Sequence, residues 1–135
     1  RHSRYTVVSG VKSCALPISE LKKMQINTTT IDRLVEEHGR FDVWKLDIEG
    51  AEIDALRGAT STLKLCPPRI IFAELYADAL VGFYQLVSAT HPHVYRALID
   101  IQSYQLHLCD PTLQNVDGFY QTSPMYVFSQ QEIAF

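Results

Sequence analysis

The 135-residue sequence lacks several features that define common classes of protein. No apolar run approaches the roughly 20 residues that a transmembrane helix requires, and no segment resembles a signal peptide. Basic residues are not clustered and the net charge is −3, whereas binding to nucleic acid needs a concentrated positive face. We therefore expect a soluble globular protein with no membrane span and no nucleic-acid partner.

Cysteine is scarce, and its spacing predicts no cross-link. Cys14, Cys66 and Cys109 are odd in number, widely separated and contain no Cys-x-x-Cys pair. This pattern supports neither a disulfide framework nor a zinc site. The simplest interpretation is three reduced thiols, at least one of them buried, in an intracellular and cytoplasmic protein.

A strand that leads into a helix is the clearest pattern present. A short β-prone run follows Phe41, and Gly50 marks its end. The helix is predicted to start near Glu52 because apolar residues then recur at three- to four-residue intervals, which is the spacing of one buried helical face. The residues of that face are Ile53, Leu56, Ala59 and Leu63.

Carboxylates surround the junction between this strand and this helix. Asp47 and Glu49 share one strand parity and follow the strand, at the edge where α/β sheets bind ligands. Either could accept a proton from an acceptor group or orient it. Capping of the helix start is the structural alternative, and it suffices for Glu52 and Asp54. We favour an active-site role for Asp47 and Glu49 over capping alone.

Two further charged residues are expected near the same edge. Lys45 has the parity of Asp47 and Glu49, and a lysine inside a strand needs a partner, either one of these acids or a substrate carboxylate. Glu74 ends the next predicted strand and would either face the same crevice or simply reach water. With Asp47 and Glu49 it would also offer hard oxygen ligands for magnesium or manganese, which we place third among the interpretations.

The remaining elements are predicted from periodicity and from proline and glycine. A helix capped by one of Thr28 to Thr30 should end at Gly39, with Asp32 favourable at its positive end. Pro67 and Pro68 should end the central helix. The apolar run from Arg69 to Leu75 predicts a strand buried on both faces and parallel to the first, within a βαβ unit.

The last third of the chain is predicted to contain two helices and a hairpin. One helix runs from about Ala79 to His91-Pro92, and Pro92 starts another that carries Tyr95, Leu98 and Ile99. Tyr104 to Leu108 and Met125 to Phe128 are predicted strands of an antiparallel hairpin, joined by the polar loop from Asp110 to Ser123.

Two local features invite functional interpretations that we do not favour. His91 and His93 flank Pro92 and could bind a metal, but a local pair is more often a solvated helix start. Trp44 and Tyr76 could stack on an adenine or an acceptor, but aromatic residues of strands are more often part of the core.

Three ordered segments resemble one family. Lys45 to Glu52 (Lys-Leu-Asp-Ile-Glu-Gly-Ala-Glu), followed by Ala55 to Ala59, looks like the signature of FkbM-type methyltransferases. Thr28 to Leu34 resembles the helix start that precedes the signature, and Ile70 to Glu74 resembles the strand that follows it. The resemblance covers about residues 26 to 129.

The resemblance implies the carboxyl half of a class I, Rossmann-like α/β methyltransferase sheet, in which parallel strands finish in an antiparallel hairpin. It implies methyl transfer from S-adenosyl-L-methionine, mainly to the oxygen of a small-molecule or glycan-type acceptor. The implied catalytic residues are Asp47, Glu49, Lys45 and Glu74, and Glu52 would line the cofactor side of the helix start. No Gly-x-Gly occurs, so the glycine-rich cofactor loop of such enzymes is missing. A non-catalytic interaction module is the alternative.

Domain boundaries follow from the same comparison. Residues 19–135 are predicted to form the partial methyltransferase domain. Residues 1–18 are either an ordinary irregular terminus or foreign sequence, since Ala15 to Ile18 matches a translated sequencing adapter, although Tyr5 to Val8 could form a strand. Because the strand at Val43 would lack its neighbour from the cofactor half, we also expect self-association through that exposed edge.

Overall fold

The computed structural model describes residues 27–100, 102–111, 119–120 and 124–134 as a mixed α/β structure. The helices are α1 (Ile31–His38), α2 (Glu52–Arg57), α3 (Thr60–Leu65) and α4 (Ala77–Val87). The strands are β1 (Val43–Leu46), β2 (Ile70–Glu74), β3 (His93–Asp100), β4 (Leu106–Cys109), β5 (Phe119–Tyr120) and β6 (Met125–Ser129). The predicted α/β class is confirmed.

One sheet contains all of these strands, in the order β1-β2-β6-β3-β4, with β5 paired to β3 outside this path. β1 and β2 are parallel, with Leu46 opposite Ala73. β6 is antiparallel to both β2 and β3, and β4 is antiparallel to β3. The predicted parallel pairing of the two central strands is therefore confirmed, and their carboxyl ends lie side by side.

The core lies between one face of the sheet and α2, α3 and α4. Trp44 and Leu46 of β1 are buried with Ile71 and Ala73 of β2, which are their register partners. Phe83 of α4 is fully buried and packs on Phe128 with ring centroids 4.8 Å apart. Leu56, Leu63 and Val87 of the helices belong to the same cluster, as does Ala59 between α2 and α3. The periodicity of the central segment thus identified its buried face.

The central segment forms two short helices, whereas one continuous helix was predicted. The interruption falls at Gly58, where an added Cβ would come within 3.3 Å of the Cβ of Thr30. The backbone carbonyl of Gly58 accepts a hydrogen bond from the amide of Asp32 at 3.0 Å. The start of α1 therefore docks where α2 ends, and the chain begins a new helix at Thr60.

α1 begins and ends as its sequence predicts. The hydroxyl of Thr30 accepts a hydrogen bond from the amide of Arg33 at 3.2 Å, which is an N-cap contact. Gly39 ends the helix with φ of 84°. Asp32 lies in the first turn of α1 as predicted, and its carboxylate also accepts hydrogen bonds from the amides of Ser61 and Thr62 and from the Thr62 hydroxyl. It therefore caps α3.

The segment after Pro92 is a strand, and the prediction of a helix there is wrong. Residues 95, 98 and 99 have helical spacing, but β3 pairs with β6 on one side and with β4 on the other. Ala97 and Leu98 are adjacent and both buried, which is what a strand covered on both faces requires. Pairing across the sheet outweighs the local pattern.

The predicted hairpin is wrong in its pairing, although both of its strands exist. β4 and β6 lie on opposite sides of β3. The predicted loop between them falls mainly outside the described residues, but Phe119–Tyr120 pairs with β3 as an additional strand. β3 lies between the two strands that the hairpin prediction pairs directly.

The second face of the sheet is less covered than predicted. Phe72 and Ile70 of β2 are half-buried, whereas Ile71 and Ala73 on the first face are inaccessible. Val43 of β1 is 53% exposed on this second face. Of the described strands, only β2 pairs with β1, so β1 lies at the edge of the described sheet.

Cys66 and Cys109 are free thiols and half-buried. Cys14 and the predicted strand from Tyr5 to Val8 lie outside the described residues. Every helix of the described ranges falls short of the length and hydrophobicity that a membrane span requires.

Candidate active site

Three carboxylates converge at the carboxyl edge of β1 and β2. Asp47 and Glu49 follow β1, and Glu74 is the last residue of β2. An oxygen from each lies within 4.8 Å of an oxygen from each of the others, with Asp47 and Glu49 exposed and Glu74 half-buried. The prediction that all three lie together at one edge is confirmed, because parallel pairing aligns the carboxyl ends of β1 and β2 and the turn after β1 keeps Glu49 at that edge.

The turn that carries Glu49 has an unusual backbone. Glu49 adopts φ of 56°, and Gly50 adopts φ of 99°. The left-handed region costs a residue with a side chain roughly 1–2 kcal/mol, so the position of Glu49 is maintained against a local preference. Strained residues of this kind concentrate at functional sites.

The buried carboxylate of Glu52 accepts hydrogen bonds from the backbone of this turn. Its side chain is only 4% exposed, and Oε1 accepts hydrogen bonds from the amides of Ile48 at 3.0 Å and Gly50 at 3.3 Å. These amides flank Glu49. A contact between Glu52 and a cofactor stays a prediction, since the described contacts of its carboxylate are with the backbone.

Lys45 pairs with Asp47. Its ammonium donates a hydrogen bond to Oδ2 of Asp47 at 2.5 Å, and both side chains are exposed. This bond and a hydrogen bond with Glu74 hold the pKa of Asp47 below its ordinary value. Asp47 is therefore ionised at neutral pH. Of the two partners predicted for Lys45, an acid of this edge is the one that the structure shows.

Trp44 and Tyr76, the two aromatic residues considered as possible stacking partners, differ in burial. Trp44 is buried in the core, as the favoured interpretation held. Tyr76 is 58% exposed and follows β2 two residues after Glu74, so it is not a core residue.

A shallow apolar cavity of about 160 Å³ lies beside α1 and β1 and is lined by Ile31, Leu34, Phe41, Trp44, Lys45 and Leu46.

His91 is fully buried, so the interpretation of a solvated helix start is wrong. Its Nε2 lies 2.8 Å from the carbonyl oxygen of Pro68, and its Nδ1 lies 2.8 Å from the hydroxyl oxygen of Thr90. Burial lowers the pKa of His91, although the bond to Pro68 acts in the opposite direction. His91 therefore ties the start of β3 to the loop before β2.

The arrangement presents negative charge at an exposed sheet edge, beside one ammonium. Such an edge can orient a hydroxyl group and accept its proton, and it can attract a positively charged ligand. Its three oxygens are also of the type that magnesium or manganese binds. Sequence reasoning identified all four charged residues, but it missed the support of the turn by Glu52.

Comparison with known proteins identifies a family for the chain. The family model described as the methyltransferase FkbM domain matches residues 4–106. The match begins inside the segment 1–18 and ends near β4, whereas the sequence motifs indicated residues 26 to 129. No curated protein and no solved structure matches the chain. Because the family model covers most of its length and includes the acidic edge, the chain belongs to the FkbM methyltransferase domain family.

Proposed function

We propose that this chain supplies the reacting edge of an S-adenosyl-L-methionine-dependent methyltransferase that methylates an oxygen of a small-molecule or glycan-type acceptor. The observation that carries the proposal is the convergence of Asp47, Glu49 and Glu74 at the carboxyl ends of two parallel strands. Open α/β sheets bind their ligands at that edge. The antiparallel insertion of β6 next to the parallel pair supports a class I, Rossmann-like sheet.

Asp47 is the residue that we assign to the acceptor hydroxyl. When bound, the cofactor supplies an electrophilic methyl group on a positively charged sulfur. As the new carbon–oxygen bond forms, the hydroxyl proton becomes strongly acidic, so a carboxylate of lowered pKa suffices to take it. In this proposal Lys45 fixes the orientation of Asp47, while Glu49 and Glu74 bound the acceptor position.

The cofactor is proposed to depend on residues beyond this edge. The sequence contains no Gly-x-Gly, and the three carboxylates suit the positive charge of the cofactor without forming a pocket for its adenosine. We therefore assign the cofactor-binding half to a part of the parent protein that these 135 residues do not include. On this view the chain alone is inactive.

The catalytic proposal is tested by Asp47→Asn in the protein that joins this chain to a cofactor-binding half. We expect turnover to fall about 10²–10⁴-fold, the usual contribution of a general base, with little change in cofactor affinity. Asp54→Asn is the matched control, because Asp54 is an exposed acid that pairs with Arg57 at 2.8 Å. An Asp47→Asn enzyme with the turnover of Asp54→Asn would contradict the assignment.

A second candidate function is that of an interaction module, including self-association. It is favoured by the position of β1 at the edge of the described sheet and by the exposure of Phe41 and Val43 beside it. An exposed strand edge pairs readily with another chain. Light scattering of the 135-residue chain should detect oligomers that Val43→Lys reduces.

Val81→Lys is the control for this experiment, because Val81 is equally apolar and exposed but lies on α4. We expect it to associate like the unmodified chain. A chain that remains monomeric at all concentrations, or an equal effect of both lysines, would exclude association through β1.

A further inference from the structure

Glu52 is the only acid that is buried among the described residues. A buried carboxylate is costly unless hydrogen bonds compensate for its lost hydration. Two such bonds reach Glu52, both at Oε1 and both from the turn that precedes α2. The compensation therefore comes from the segment that carries Glu49.

The position of these two donors is informative. The amides belong to Ile48 and Gly50, the residues immediately before and after Glu49. Glu49 itself has the left-handed backbone conformation, with φ of 56°. One buried oxygen thus accepts hydrogen bonds from the amides on both sides of a residue with a disfavoured backbone conformation.

We propose that Glu52 is a positioning residue, whose buried oxygen holds the turn at residues 48–50 so that the carboxylates of Asp47 and Glu49 stay beside that of Glu74. Its catalytic consequence rests on the proposed function, whereas its structural part does not. Glu52 acts through the backbone and touches no reacting atom.

Simple capping of α2 is the competing explanation. A side chain at a helix start can reach back to a preceding amide and stabilise the helix. Capping alone would affect stability and leave the conformation of Glu49 unchanged in the molecules that remain folded. The two explanations therefore differ in what they predict for the folded protein.

The first test uses Glu52→Gln and Glu52→Leu in the 135-residue chain. Glutamine keeps one oxygen at the position of Oε1, which can accept both amide protons, whereas leucine keeps the buried volume but accepts neither. Glu36→Gln on exposed α1 is the control for loss of a charge. Nuclear magnetic resonance measures the intraresidue amide-to-Hα contact of Glu49, which is strong at positive φ, and amide exchange at Ile48 and Gly50.

We expect Glu52→Gln and Glu36→Gln to retain the signature of positive φ at Glu49 and slow exchange at both amides. Glu52→Leu should lose both in its folded population. If Glu52→Leu is folded and keeps the signature, the positioning role is wrong. If Glu52→Leu does not fold, Glu52→Asp takes its place, because the shorter side chain withdraws the oxygen from the amides of Ile48 and Gly50. Loss of the signature in folded Glu52→Asp would support positioning, and its retention would overturn the proposal.

The second test measures kinetics in the protein that contains the cofactor-binding half. A misplaced carboxylate edge should lower kcat about 10²-fold in Glu52→Leu, with a smaller change in KM, and Glu52→Gln should restore most of it. A normal kcat in Glu52→Leu would contradict positioning. If no variant, including the unmodified protein, transfers methyl groups, the proposed function fails while the resonance result still decides the structural role of Glu52.

Discussion

Replacement of Glu49 by glycine or by alanine measures the strain in the acidic turn. Both changes remove the carboxylate, so they differ in backbone preference alone. At φ of 56° alanine bears the left-handed cost of roughly 1–2 kcal/mol. Glycine avoids that cost but loses about 0.4–1 kcal/mol through the greater freedom of its unfolded chain. We therefore expect Glu49→Gly to be the more stable variant, by about 0.8 kcal/mol, the difference between the middles of these two ranges.

The matched control is the same pair of substitutions at Glu36, which is exposed and lies in α1. A helical position favours alanine over glycine by about 1 kcal/mol, so the order of stability should reverse. The free energy of unfolding is measured by urea titration with circular dichroism. Equal stability of the two Glu49 variants, or greater stability of Glu49→Ala, would refute the account of a strained turn.

Two other predictions concern contacts that hold the scaffold. Asp32→Ala should lower the free energy of unfolding by about 1–2 kcal/mol, as loss of an N-cap does. In the same urea titration, Asp42→Ala at an exposed position should have little effect. An equal effect of the two substitutions would contradict capping of α3 by Asp32. Burial lowers the pKa of His91, so as the pH falls the unfolded chain takes up a proton at this residue before the folded chain does. The contribution of the buried ring to stability is therefore full above the unfolded pKa of about 6.5. It should decrease as the pH falls from there toward the folded pKa. Between pH 7.5 and 5.5, the range of the titration, His91→Asn should reduce the change in the free energy of unfolding with pH. His38→Asn, at the exposed end of α1, should leave that change as it is. An unaltered pH dependence in His91→Asn would refute the role of the buried ring.

The acidic edge could be predicted because its geometry follows from local rules. Asp47 and Glu49 directly follow the apolar run that predicts one strand, and a second apolar run, which ends in Glu74, indicates the neighbouring parallel strand. The buried face of the central segment was equally readable from its period. These features depend on residues close together in sequence or on one pairing of two strands.

The features that were not predicted, or were predicted wrongly, are those that distant residues decide. Asp32 caps a helix whose first amides lie 29 and 30 positions away, and the docking of α1 on Gly58 divides the central helix. β3 has apolar spacing that fits a helix as well as a strand, and only its two neighbours in the sheet select the strand. His91 is buried by contact with Pro68, 23 residues earlier.

Titration calorimetry with S-adenosyl-L-methionine tests the central claim most directly. The account assigns the reacting edge to this chain and the cofactor site to another part of the parent protein. It therefore predicts no measurable binding to the 135-residue chain and saturable binding to a protein that joins the chain to its cofactor-binding half. Tight, saturable binding by the isolated chain would contradict the account, because it would require a complete cofactor site within these residues.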